Sequence, residues 1–104
     1  MSDRIYTMIN VLDEVAHKFE LDETDLRIIG SVLYLEEENG VGASKSYIAT
    51  CRGDLSAATI YNRLNKKLIP KKFIRETKSE HDGRGKILSG GSKAQELCVY
   101  IDKL

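Results

Sequence analysis

Residues Ser44–Ala94 read SKSYIATCRGDLSAATIYNRLNKKLIPKKFIRETKSEHDGRGKILSGGSKA. Ser44 can cap a short helix running through Cys51, with Tyr47, Ile48 and Cys51 turned inward. Gly53 is expected to make the following turn by adopting positive φ, and Leu55 to plug the space between two helices. Ser56 caps the next helix, whose apolar positions are Ile60, Leu64 and Leu68. Pro70 lacks an amide hydrogen and disfavours helix at Ile69, so this helix should finish near Lys67 to Ile69. Phe73 to Lys78 alternates as a half-exposed strand does, Glu80 to Gly85 is a polar turn with two glycines, and Lys86-Ile87-Leu88 is the return strand. From Ser92 onward, Ala94, Leu97, Cys98, Ile101 and Leu104 have helical spacing. A short helix, a turn, a second helix and a basic hairpin, in that order, predict a winged helix-turn-helix.

Upstream, Ile5, Met8, Ile9, Leu12, Val15, Ala16 and Phe19 recur at three- and four-residue steps, which makes one apolar face of a helix from about Asp3 to Phe19. Asp22 can cap a second helix, with Asp25 three residues on, where an acid favours the positive helix end. Leu26, Ile28, Ile29, Val32, Leu33 and Leu35 occupy more than one face, so this helix is expected to be central and enclosed. Glu36-Glu37-Glu38 followed by Asn39-Gly40 end it, and the acids read as a solvated terminus. The expected order is α-α-α-α-β-β-α, a mainly helical (α+β) class. A chain of 104 residues fits one domain. Within it, residues 1–20 form an N-terminal helix suited to dimerisation, 22–90 the winged-helix core and 92–104 a C-terminal helix.

Net charge is zero, but its distribution is not even. Residues 1–40 hold three Lys/Arg against ten acids, a net of −7, and residues 41–104 hold thirteen against six, a net of +7. An anionic partner would meet the second part. No run of about 18 apolar residues suggests a membrane span. The start MSDRIYTMIN lacks the pattern of a signal peptide, which places the chain in the cytoplasm. Cys51 and Cys98 form no metal-binding spacing, so no metal is expected. Both cysteines read as buried thiols.

No enzyme chemistry and no cofactor are indicated. His17 and His81 are far apart, and the acids show no paired placement for acid–base work. Lys45 in Gly42-Ala43-Ser44-Lys45-Ser46 lacks the glycine spacing and preceding strand of a phosphate loop. The pattern suits double-stranded DNA instead. The recognition helix, 56–68, would lie in the major groove, where the small residues Ser56, Ala57 and Ala58 let the backbone approach. Thr59, Tyr61 and Asn62 fall on or near its outward side, and Asn62 can read adenine in a bidentate way. Ser44 and Lys45 open the preceding helix. Arg63, Lys66 and Lys67 are placed for phosphates, which fix position but do not read sequence. The wing, 78–86, carries Lys78, His81, Arg84 and Lys86, with Arg84 suited to a minor groove.

The run LSAATIYNRLNKKLIPKKFI followed by RETKSEHDGRGKILSGGSKAQEL resembles the core of MarR-type winged-helix transcription regulators. Thr59-Ile60, Lys72-Phe73-Ile74, Asp82-Gly83-Arg84 and Ser92-Lys93-Ala94 stand where that family has its recognition-helix, strand-start, wing and last-helix motifs. Leu26-Arg27-Ile28-Ile29 resembles the helix before its helix-turn-helix. The resemblance covers about residues 22–97. Gly90-Gly91 replaces the family's Leu-Thr, Ala94 its Gly, and Ile60 to Phe73 is about one residue longer than its pattern. The resemblance implies a homodimer through the first and last helices, a pseudo-palindromic site and a repressor role. This chain is short for the family, so the implication does not extend to a small-molecule effector. A plasmid-partition centromere-binding protein and a protein-interaction module on the same scaffold are the alternatives.

Overall fold

The computed structural model describes residues 2–78 and 85–103. Helices α1 (Ser2–Phe19), α2 (Glu23–Asn39), α3 (Lys45–Cys51) and α4 (Ala57–Arg63) come first. A π turn over Leu64–Leu68 extends α4, and strands β1 (Ile74–Lys78) and β2 (Lys86–Gly90) then precede α5 (Ser92–Asp102). The order matches the sequence expectation. The strands are antiparallel, with Ile74 opposite Gly90 and Lys78 opposite Lys86. Leu88 also donates its N–H to the Ala43 carbonyl at 2.8 Å, which joins the α2–α3 connection to the wing.

Local chemistry sets each boundary. Asp22 and Asp25 form a reciprocal capping box at the start of α2, each side chain accepting the other's backbone N–H. Gly40, at φ 73, closes the same helix in the left-handed conformation that glycine adopts without cost. Ser44 and Ser56 cap α3 and α4 as expected, accepting N–H bonds from Tyr47 and Thr59.

Every element places a side chain in one core. Val15, Ile28, Ile29, Val32, Ile48, Ile60, Leu64, Leu68, Phe73, Ile74, Leu88 and Leu97 are all buried. Phe19 of α1 meets Phe73 and Tyr100 edge-on, at ring-centroid distances of 6.3 and 5.6 Å, and closes the end of the core between α1 and α5.

The residues that depart from the family pattern are accommodated in specific ways. Within the π turn the Ile69 N–H reaches the Leu64 carbonyl at 3.0 Å, five residues back. A turn closed at five residues takes up one residue more than an α turn, so Ile60, Leu64, Leu68 and Phe73 all remain in the core. Gly91 is required by close approach: a Cβ there would lie 2.2 Å from the Lys72 carbonyl oxygen. That carbonyl accepts the Lys93 N–H at 3.0 Å. It thereby caps α5, whose N-cap Gly91 has no side chain to do so. Lys72 stands at φ 68, a left-handed conformation unusual for a residue with a Cβ.

Three expectations fail. Gly53 is not at positive φ; among the described residues only Gly40 is a positive-φ glycine. The turn instead closes through the Leu55 N–H on the Arg52 carbonyl at 3.1 Å. Cys51 and Cys98 are exposed rather than buried, because α3 and α5 are each covered along a single narrow stripe. Tyr47 likewise faces outward, and α3 is anchored by the buried Ile48 with Ala49 partly buried beside it. On α1, Ile5, Met8, Ile9 and Leu12 all lie exposed; Val15 is the helix's buried residue. The molecule measures 48 × 26 × 25 Å.

Candidate nucleic-acid interface

The first turn of α4 is capped by its own Ser56 and carries short side chains. The Ser56 hydroxyl accepts the Thr59 N–H at 3.1 Å and donates to Thr59 Oγ1 at 2.8 Å, so the cap is complete without an outside partner. Ala57, Ala58 and Asn62 are exposed, and Thr59 and Tyr61 are half-buried. Ile60 on the opposite side of the helix is fully buried. The helix therefore turns one face to the core and leaves a smooth, short-chained face outside.

Two of the expected phosphate ligands point elsewhere. The Arg63 guanidinium donates to Asp22 Oδ2 at 2.6 Å and to Asp25 Oδ1 at 3.0 Å. The Lys67 ammonium donates to Asp25 Oδ2 at 2.5 Å. Asp25 has no exposed surface, so it is a buried carboxylate held by two cations and the Asp22 N–H. Such groups persist only when paired. For Asp22, burial pulls the carboxyl pKa upward, but the Asp25 amide and Arg63 outweigh it and hold the group below its ordinary value. Lys66, the neighbour of Lys67, is exposed.

A second set of charges ties down the turn between α3 and α4. Arg27 of α2 and Arg52 both donate to Asp54, at 2.6 and 2.9 Å. Hydrogen bonds from Arg52 and then Arg27 bring the Asp54 carboxyl to about 2, from an ordinary 3.8. Lys45 is also engaged: its ammonium donates to Asn65 Oδ1 at 2.6 Å and pairs with Glu76 of β1 at 3.0 Å. Ser44 serves as the α3 cap, with its hydroxyl 3.1 Å from that of Ser46.

At the outer end of the β1–β2 ladder, Lys78 and Lys86 are directly opposite across the two strands, and both are exposed. Like charges in that relation repel. Glu76 lies 4.0 Å from Lys86, but it is already committed to Lys45. An anion between the two lysines would relieve the repulsion. His81 and Arg84, expected at the wing tip, lie outside the described residues.

Of the residues that sequence reasoning placed on the outer side of α4 and on the wing, Ala57, Ala58, Asn62, Lys78 and Lys86 are exposed, and Thr59 and Tyr61 are half-buried. Sequence reasoning missed Asp25, Asp54 and Glu76 as anchors. Asp25 was visible as an acid favoured at the start of α2, but its partners lie 38 and 42 positions away. No local spacing signals a pairing of that range. Among the described residues, no group of His, Cys, Asp or Glu is placed to hold a metal ion, and no helix is long and apolar enough to cross a membrane.

No protein-family model matches the sequence, and no curated protein does. Solved structures do match in shape. A point mutant of S. aureus MepR bound to an oligodeoxyribonucleotide aligns at a TM-score of 0.67 and 18% identity, over 99% of this chain and 75% of that one. A second MepR mutant aligns at 0.66 and 17%, with the same coverage. A MarR-like transcription regulator from Bacillus cereus aligns at 0.57 and 14%, over 97% of this chain and 68% of that one. The fold is a MarR-like winged helix. In that fold α3 and α4 form the helix-turn-helix, and β1 and β2 form the wing.

Proposed function

We propose that this protein is a sequence-specific, double-stranded-DNA-binding transcription regulator, a homodimeric repressor rather than an enzyme, acting in the cytoplasm. The observation that carries the reading is the bare outer face of α4, with Ser56, Ala57, Ala58 and Asn62 exposed, in the same molecule as the opposed lysines Lys78 and Lys86. In this reading Asn62 and Thr59 meet base edges in a major groove, Tyr61 flanks them, and Lys66, Lys78 and Lys86 meet phosphates. Ser44 and Lys45 stand near the backbone, and His81 and Arg84 approach the minor groove. One solved protein of the same fold, MepR, has been captured on an oligodeoxyribonucleotide, which supports the choice of partner. The exposed apolar residues of α1, with Val99 and Ile101 of α5, supply the surface for a two-fold dimer. Such a dimer would meet half-sites about one DNA turn apart.

Selection of bound sequences from random duplex DNA, at fixed salt, tests this directly. A pseudo-palindromic motif should emerge. Asn62→Ala should change base preference at one position per half-site more than it changes overall affinity. Lys66→Gln should weaken binding to all sequences and lower the slope of log K against log salt by about 0.9. Failure to retain any duplex at low salt would defeat the proposal.

A further inference from the structure

Arg63 and Lys67 belong to the recognition helix and its π turn, yet both are directed onto Asp22 and Asp25 at the start of α2. Two carboxylates face two cations, so the cluster is neutral. It is also rigidly built. Asp25 is fully buried and accepts bonds from the Asp22 N–H, Arg63 and Lys67, while Asp22 accepts from the Asp25 N–H and Arg63. The positive end of α2 favours the same two carboxylates. A phosphate competing for Arg63 or Lys67 would have to leave Asp25 buried and underpaired, which is costly.

We propose that Asp22 and Asp25 are positioning residues that act as an internal counter-charge. They hold the distal half of the recognition helix in place and withdraw Arg63 and Lys67 from the DNA backbone, so that indiscriminate phosphate affinity is limited. This inference rests on the DNA-binding reading and deepens it. Cations bound to phosphate release counterions and steepen the salt dependence of binding, whereas cations already neutralised within the protein do not. Lys66 provides the internal contrast: it is exposed and forms none of these bonds, although it adjoins Lys67.

The test measures binding of a mixed-sequence duplex, by fluorescence anisotropy, across a range of salt. Arg63→Gln and Lys67→Gln should leave the slope of log K against log salt unchanged, while Lys66→Gln lowers it by about 0.9, which is roughly a threefold change between 50 and 200 mM salt. Asp22→Asn keeps an effective helix cap while removing a charge, so the protein stays folded. On its own it leaves Arg63 on Asp25 Oδ1 and Lys67 on Asp25 Oδ2, so the slope should steepen by less than about 0.9, whereas Asp22→Asn with Asp25→Asn frees both cations and should steepen it by up to about 1.8. Both changes should narrow the ratio between the selected site and the mixed-sequence duplex. If Arg63→Gln and Lys67→Gln lower the slope as Lys66→Gln does, or if Asp22→Asn with Asp25→Asn leaves it unchanged, the counter-charge role is overturned while DNA binding stands. If the unaltered protein retains no duplex at any salt, the DNA-binding reading falls and takes this inference with it.

Discussion

Glycines in this chain divide sharply by what surrounds them. A Cβ at Gly91 would meet the Lys72 carbonyl, which is backbone and already holds the N-terminus of α5. A Cβ at Gly53 would meet nothing within 4 Å. Gly91→Ala should therefore destabilise the protein by about 2 kcal/mol or more, as overpacking against fixed atoms does. Gly53→Ala should leave stability within about 0.5 kcal/mol or raise it slightly, because the backbone there does not need positive φ. Urea denaturation of the two variants checks both. Equal losses would contradict the distinction. From the sequence, Gly53 was the expected positive-φ turn residue and Gly91 only a departure from the pattern the chain resembles. The structure reverses their importance, since close backbone approach leaves no trace in residue type alone.

At the scale of elements, the helix-turn-helix is braced by carboxylates from two sides. Asp54 joins Arg27 of α2 to Arg52, and Asp22 with Asp25 joins α2 to Arg63 and Lys67. Asp54 is held at about 2, and Asp22 below its ordinary value. A carboxyl depressed in the folded state stabilises the fold above its unfolded pKa and loses that contribution as pH falls through the folded one. Stability from these groups should be constant from neutral pH down to about 5, then decline between about 4 and 2. The urea midpoint followed against pH reads this, and Asp54→Asn should flatten part of the decline. A decline of the same shape in that variant would remove Asp54 as a cause. The elements themselves were legible: caps at Asp22, Ser44 and Ser56, the stop at Gly40 and the two strands all stand where the sequence puts them. Their boundaries depend on hydrogen bonds within a few residues. The braces depend on side chains far apart in sequence, so they were not legible.

For the whole molecule, the feature without an internal explanation is α1. Its residues Ile5, Met8, Ile9 and Leu12 are 45–58% exposed, although they form the apolar face that periodicity identified. Only the part of the helix from Val11 to Phe19 packs on the core, through Val11, Val15 and Phe19. If that face joins two copies, Ile9→Glu should shift sedimentation from dimer to monomer without lowering the content of helix, because Ile9 contributes nothing to the monomer core. Affinity for a two-half-site duplex should fall at least tenfold, and affinity for a single half-site should not change. A variant that still sediments as a dimer would locate the interface elsewhere.

The sequence by itself determined the order of elements, the apolar faces, the caps and the separation of acidic from basic halves. Each follows from periodicity, capping chemistry or composition, which act over a few residues at a time. Only the tertiary structure decided how the charges are used. Placing the start of α2 beside α4 and its π turn brings Asp22 and Asp25 onto Arg63 and Lys67, so cations that looked free for phosphate are occupied. The same packing leaves Cys51, Cys98 and most of the α1 face outside. Periodicity tells which residues share a face; whether a neighbour covers that face is a property of the folded whole.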